Sequence, residues 1–289
     1  MKYFWHACLT LLLAAPALAQ NQFVYTDNNV NIGIDKKAVN SVSAFKVNED
    51  GSLTQVKGSP YATGGLGGGN NIDPEEIAVS TQSGTSFLYA ANDGSGTISA
   101  YAINPVGGSL ARVAGSPFPT SASPLDLDVN CAGNLVFVVD DGSYNGSYST
   151  IDVFSLARDG SLAPVPGEPF YNGSSSTNGG LALSPNGQYL FVTDTFSSEI
   201  SSLAVSSDGA LSQVPGSPYA TSDWPGGVAV TANGKFVYAT LFAVAEIEGR
   251  SIATNGALAP VPGTPFSTGQ AQEGVPTLIT FPARSCAAQ

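Results

Sequence analysis

The chain has 289 residues, of which 11% are charged and 43% hydrophobic, and 22 acidic side chains oppose 10 basic ones for a net charge of −12 at pH 7. Such an acidic surface is repelled by nucleic acid and by anionic membranes, which excludes both as partners and favours cations or neutral ligands. With 33 glycines and 19 prolines, the composition suits many short strands joined by tight turns, and argues against long surface helices and against disorder.

In chain order, Lys2, the apolar run Ala7–Ala15 and Ala17-Leu18-Ala19 have the layout of a secretory signal peptide over residues 1–19. The run is short for a bilayer, so an N-terminal anchor is the lesser alternative. Residues 20–289 are then expected as a single exported domain, periplasmic or extracellular, with no membrane insertion. Cys8 leaves with the leader. Cys131 and Cys286 remain as a candidate disulfide in an oxidising compartment, the alternative being two free thiols.

The body of the chain is repetitive. Gly51-Ser52-Leu53 recurs as Gly108-Ser109-Leu110, Gly160-Ser161-Leu162, Gly209-Ala210-Leu211 and Gly256-Ala257-Leu258, at steps of 57, 52, 49 and 47 residues. Seven residues after each leading glycine comes a Gly-x-Pro-aromatic motif, from Gly58-Ser59-Pro60-Tyr61 to Gly263-Thr264-Pro265-Phe266. The period is that of propeller blades and too long for leucine-rich or hexapeptide solenoids.

Each repeat is predicted to hold four strands, a to d. Strand a is centred on Ile77–Val79, Leu127–Val129, Leu181–Leu183 and Val228–Val230. Strand b is the aromatic one, at Phe23–Thr26, Phe87–Ala91, Leu135–Val139, Tyr189–Thr193 and Phe236–Thr240. Strand c is Thr97–Ile103, Thr150–Leu156, Glu199–Val205 and Glu246–Ile252. Strand d runs from the Gly-Ser-Leu motif through the Gly-x-Pro motif, its proline tolerated on an outer edge.

The fold class expected is therefore all-β, a propeller of about five four-stranded blades. Its repeats lie near 23–72, 73–123, 124–177, 178–224 and 225–270, and strand 276–281 joins the first blade to close the ring. Asn-Gly and Asp-Gly turns join a to b and c to d. The b–c and d–a loops are longer and share the other face, where ligands are expected.

Leu183-Ser184-Pro185-Asn186-Gly187-Gln188-Tyr189-Leu190-Phe191-Val192-Thr193-Asp194 resembles the repeat unit of the YVTN propellers. The Gly-Ser-Leu and Gly-Ser-Pro-Phe motifs are similar to those of the lactonase-like propellers, the 6-phosphogluconolactonase type among them. That resemblance implies lactone hydrolysis on a propeller, generally of seven blades, with histidine, arginine and glutamate around the central opening. Here the one histidine, His6, lies in the leader, and Arg112, Arg158, Arg250 and Arg284 fall off the loop face. No catalytic residue carries over.

The candidate binding residues are Asp27, Asp93, Asp140, Asp141 and Asp194 at the ends of b strands, with Trp224 on a d–a loop. Asp140, Asp141 and Asp194 could supply oxygens to Ca²⁺; alternatively such residues accept hydrogen bonds in turns. Trp224 could stack on a sugar ring or wedge between blades. Gly64–Gly69 reads as a flexible connection, and Asn145-Gly146-Ser147 and Asn172-Gly173-Ser174 are glycosylation sequons. Without a mature histidine, a Ser–His triad and histidine-based zinc sites are excluded. The function expected first is a non-catalytic scaffold that binds a small-molecule, cation or protein ligand on the loop face. A metal-assisted lactone hydrolase comes second, and glycoside hydrolysis by paired carboxylates third.

Overall fold

A computed structural model describes residues 22–28, 39–68, 77–142, 149–172 and 178–269. Within them lie five antiparallel sheets and one short 3₁₀ turn, Asp93–Ser95. The second sheet is typical. Its strands Ile77–Gln82, Thr85–Asn92, Thr97–Ile103 and Leu110–Arg112 pair in chain order. The third runs Ser123–Val129, Leu135–Asp141, Thr150–Leu156 and Leu162–Pro164, and the fourth and fifth repeat the plan. Among the described residues the first sheet starts at strand b, Phe23–Asp27, followed by Val39–Val47 and Leu53–Gln55. The expected leader, the expected closing strand 276–281 and Cys286 lie outside the described residues.

Strand b explains how the sheets stack. Its residues are hydrophobic on both faces, the pattern of a strand buried between layers. Phe87 and Tyr89 pack onto Val136, Val138 and Phe154 of the third sheet. Leu88 and Ala90 turn the other way, onto Val42 of the first. Leu135, Phe137 and Val139 then meet Leu181, Leu190 and Val192, and Phe191 and Ile200 meet Val228 and Val237. Each sheet is thus packed against its successor in chain order.

Strand d corrects the sequence expectation. It is not one strand but two short pieces, such as Leu110–Arg112 and Phe118–Pro119, both pairing with strand c. The Gly-x-Pro motif forms the turn between them, with a cis X-Pro bond in all five copies. The residue before proline fills the gap in the ladder. Ser116 Oγ accepts the Ala100 N–H at 2.9 Å, Ser59 the Ala44 N–H at 2.9 Å, Ser217 the Ser202 N–H at 2.8 Å and Thr264 the Gly249 N–H at 2.8 Å. A side-chain hydroxyl thus stands where a strand carbonyl would.

The leading glycine of the Gly-x-Leu motif has a second task. A Cβ on Gly160 (φ +85°) would lie 2.3 Å from the Phe87 ring of the preceding sheet. Gly108 meets Phe23, Gly209 meets Leu135 and Gly256 meets Tyr189 in the same way, whereas Gly51 has nothing within 4 Å.

Candidate functional site

Aligned on their central aromatic residue, the five b strands end at Asn28, Asn92, Asp140, Asp194 and Leu241. Most of these polar ends clasp strand c. Asn28 Nδ2 donates to Ser41 and Ser43, and Asn92 Nδ2 to Thr97 Oγ1 and Ser99 Oγ. Asp194 accepts from Ser201 Oγ and Asn172 Nδ2, both at 2.7 Å. Asp27, one residue before the aligned position, accepts from Asn40 Nδ2 at 3.1 Å. Asn172 is buried and spent on Asp194, which removes it as a glycosylation acceptor; Asn145 lies outside the described residues.

Asp93 is different. It opens the 3₁₀ turn after strand b, is 4% exposed, and its Oδ2 has no hydrogen-bond partner. Burial, reinforced by the charge of Asp141 and opposed by the Ser123 hydroxyl, pushes its pKa up to about 6. Asp141 pairs across the ladder with Ser123, at the start of the innermost strand of the third sheet. The described part of the glycine-rich segment comes close to Asp93 and is not a free connection. Its first part belongs to strand Tyr61–Leu66, and a Cβ on Gly68 would lie 1.5 Å from the Asp93 carboxylate. Only glycine permits that approach.

Bulges at Pro124/Asp126, Asn178/Leu181 and Pro225/Val228 re-aim the innermost strand at this same end in three successive sheets. Asp126 and Asp128, which sequence reading passed over as strand residues, reach the backbone of the next sheet. Asp126 Oδ2 accepts the Leu181 N–H at 2.8 Å and Asp128 Oδ2 the Leu183 N–H at 3.4 Å.

Asp140 is wholly buried beside Asp152 and is not gathered with Asp141 and Asp194 into a metal cage. Among the described residues, no three histidine, cysteine, aspartate or glutamate side chains form a group able to hold a metal ion. Trp224 is 46% exposed and lies edge-on to Phe196 of the neighbouring b–c turn, ring centroids 5.5 Å apart, so it is not wedged between sheets. Cys131 is disulfide-bonded; the other cysteines, Cys8 and Cys286, lie outside the described residues. Two cavities lined by described residues, of about 710 and 560 Å³, sit at the opposite end among the a–b and c–d turns and are lined by no carboxylate. No described helix is long and apolar enough to cross a membrane.

Successive four-stranded antiparallel sheets, packed face to face around their first strands, define the class: a β-propeller. Within it, part of the chain is similar to a lactonase family. The family described as "Lactonase, 7-bladed beta-propeller" matches residues 36–159, a little under half of the sequence. Seven blades in that description stand against the five sheets described here.

Among solved structures, a candidate 6-phosphogluconolactonase of Bacteroides uniformis is similar with a TM-score of 0.63 at 18% identity, covering 86% of this chain and 68% of the other. The periplasmic gluconolactonase of Pseudomonas aeruginosa is similar with a TM-score of 0.63 at 18% identity, covering 87% and 69%. A second candidate 6-phosphogluconolactonase, from Bacteroides fragilis, gives 0.57 at 18% identity over 84% and 81%. At such identities the likeness is one of fold. A search of curated proteins finds no match.

Proposed function

We propose that this chain is a lactone hydrolase acting at the loop-bearing end of its propeller, with Asp93 as the water-activating base. The observation that carries this reading is the Asp93–Asp141 pair. Asp93 is a buried carboxyl with a pKa near 6, so it is ionised at neutral pH yet basic enough to take a proton. Water gives a proton to Asp93 as its oxygen bonds to the lactone carbonyl carbon. The ring C–O bond then breaks, and the Asp93 proton goes to the leaving alkoxide, giving the hydroxy acid. Phe196 and Trp224 offer an aromatic surface on the same end for the apolar face of a sugar ring, which favours sugar lactones.

The names of similar proteins point to the same chemistry, and one of them is periplasmic, in keeping with an exported chain. The reading includes a ring of five blades with strand 276–281 completing the first. It is supported by coverage of 68–69% of two similar structures, close to five blades in seven.

The test is hydrolysis of aldonolactones and muconolactones, read by proton release, with Ca²⁺ and again with EDTA. Turnover should rise through about pH 6 and fall by about a hundredfold or more in Asp93→Asn. A wild-type rate in that variant would remove Asp93 from the chemistry. A non-catalytic scaffold is the second reading, favoured by the single histidine at residue 6 and by b-strand ends already committed to strand c. It gains if no lactone turns over while Trp224→Ala still weakens sugar binding.

A further inference from the structure

Five copies of one repeat serve as controls for each other. At the third position of strand c the copies carry Ser43, Ser99, Asp152, Ser201 and Glu248; before the proline they carry Ser59, Ser116, Glu168, Ser217 and Thr264. Acid enters the first position in two copies and the second in one. Only the third sheet has both.

The fifth sheet shows how this fold satisfies such an acid. Glu248 is buried and accepts the Ser222 N–H at 3.1 Å. Arg250 Nε donates to its Oε1 at 2.8 Å, and Nη2 joins both that carboxylate and the Ala220 carbonyl. The guanidinium lies over the Tyr219 ring, 5.9 Å from its centroid. Between the first and second sheets the corresponding carbonyl, Ala62, receives Tyr101 Oη and Arg112 Nη2.

The third sheet repeats the scaffold without the cation. Ser121 donates its N–H and its hydroxyl to Asp152, both at 2.6 Å, where Ser222 donates its N–H to Glu248. The position of Arg250 is Phe154, that of Arg112 is Pro164, and neither side chain can donate. A cavity of about 180 Å³ opens instead between Pro119, Asp152, Phe154 and Glu168. Beside Asp152, Asp140 is completely buried, and neither of its oxygens has a hydrogen-bond partner of good geometry. Burial first, then Asp152, raises Asp140 well above the carboxylate range, with Thr120 and the Ala122 backbone pulling weakly the other way. The same two causes raise Glu168 to about 7. Buried acids without a counter-charge are costly, and a bound cation relieves that cost. The carboxylates do not converge into a metal cage, but a planar guanidinium forks between separated carboxylates.

We propose that the cavity between the second and third sheets binds a guanidinium group, held by Asp152 and Glu168 with Phe154 along its edge. The ligand is a small guanidine or an arginine side chain of a peptide. This site uses none of the residues assigned to lactone chemistry and does not depend on that reading.

The experiment is calorimetric titration of the full mature chain with agmatine, with a short arginine peptide, and with KCl and CaCl₂ as controls. Agmatine, the peptide or both should bind, and the salts should not compete at equal concentration. Glu168→Ser, which restores the hydroxyl used by the other copies, should weaken binding about tenfold or more, as expected for loss of one charged partner. Phe154→Arg, which supplies the guanidinium in cis as the fifth sheet does, should abolish binding. Lactone turnover should be unchanged in Glu168→Ser. Absence of guanidine binding by the wild type, or equal binding by Glu168→Ser, would overturn the proposal even if Phe154→Arg failed to fold.

Discussion

Asp93 is held in its protonated form to higher pH than an ordinary carboxyl because folding takes it out of water. The sign of its effect on stability follows. Its folded-state pKa of about 6 lies above the unfolded value, so the stability it contributes is complete below about pH 4 and is lost as pH rises through about 6. Asp93→Asn removes that loss. The variant should be more stable than the wild type near pH 8 by on the order of 2 kcal/mol, and no different near pH 3.5. Thermal melts at the two pH values decide this, and equal melting near pH 8 would mean that the carboxyl is solvated. In the sequence Asp93 was one of several turn acids with nothing to single it out. Its neighbours are Gly68 and Ser123, on other elements, and one chain read alone carries no signal of such proximity. Asp152 and Glu168 were missed for the same reason, although a carboxylate in a Gly-x-Pro motif that otherwise carries a hydroxyl was visible and would have flagged Glu168.

At the scale of the element, periodicity was reliable. The c strands Thr97–Ile103, Thr150–Leu156, Glu199–Val205 and Glu246–Ile252 were legible to the residue, since alternation and flanking turns bound them on both sides. Strand d was misread because its two pieces are joined by a turn whose hydroxyl replaces a ladder carbonyl, a substitution that leaves no break in hydrophobicity. The leading glycines give a graded test of the sheet-to-sheet contact. Gly160→Ala should cost about 2–4 kcal/mol, from its positive φ and the collision with Phe87, whereas Gly51→Ala carries only the backbone penalty of about 1 kcal/mol. Chemical denaturation of the two variants measures the difference, and equal losses would mean that the Phe87 contact yields freely.

For the whole molecule, the all-β plan and its repeats were legible, while the number of blades in a closed ring and the chemistry of the loop face were not, because both depend on contacts between distant repeats. Cys131 sits in an a–b turn and is disulfide-bonded. The partner expected is Cys286, since Cys8 lies in the segment expected to be a leader. Peptide mapping of the exported protein without reductant should recover a Cys131–Cys286 link, and Cys131→Ser should lower stability by about 3–5 kcal/mol, as for a bridge closing a long loop. A map showing Cys131 as a free thiol would remove both expectations.

The contact between a leading glycine and the first side chain of the preceding b strand gives the molecule a direction. Each sheet offers a bulky side chain forward and a bare backbone behind, so one junction is interchangeable with another: Phe23 onto Gly108, Phe87 onto Gly160, Leu135 onto Gly209, Tyr189 onto Gly256. Phe236 is the next bulky side chain in that series, and Gly51 is the one leading glycine with open space around it. A gene encoding such units can gain or lose a whole copy without creating a junction of a new kind. Blade number is then free to drift between relatives while the packing rule stays constant.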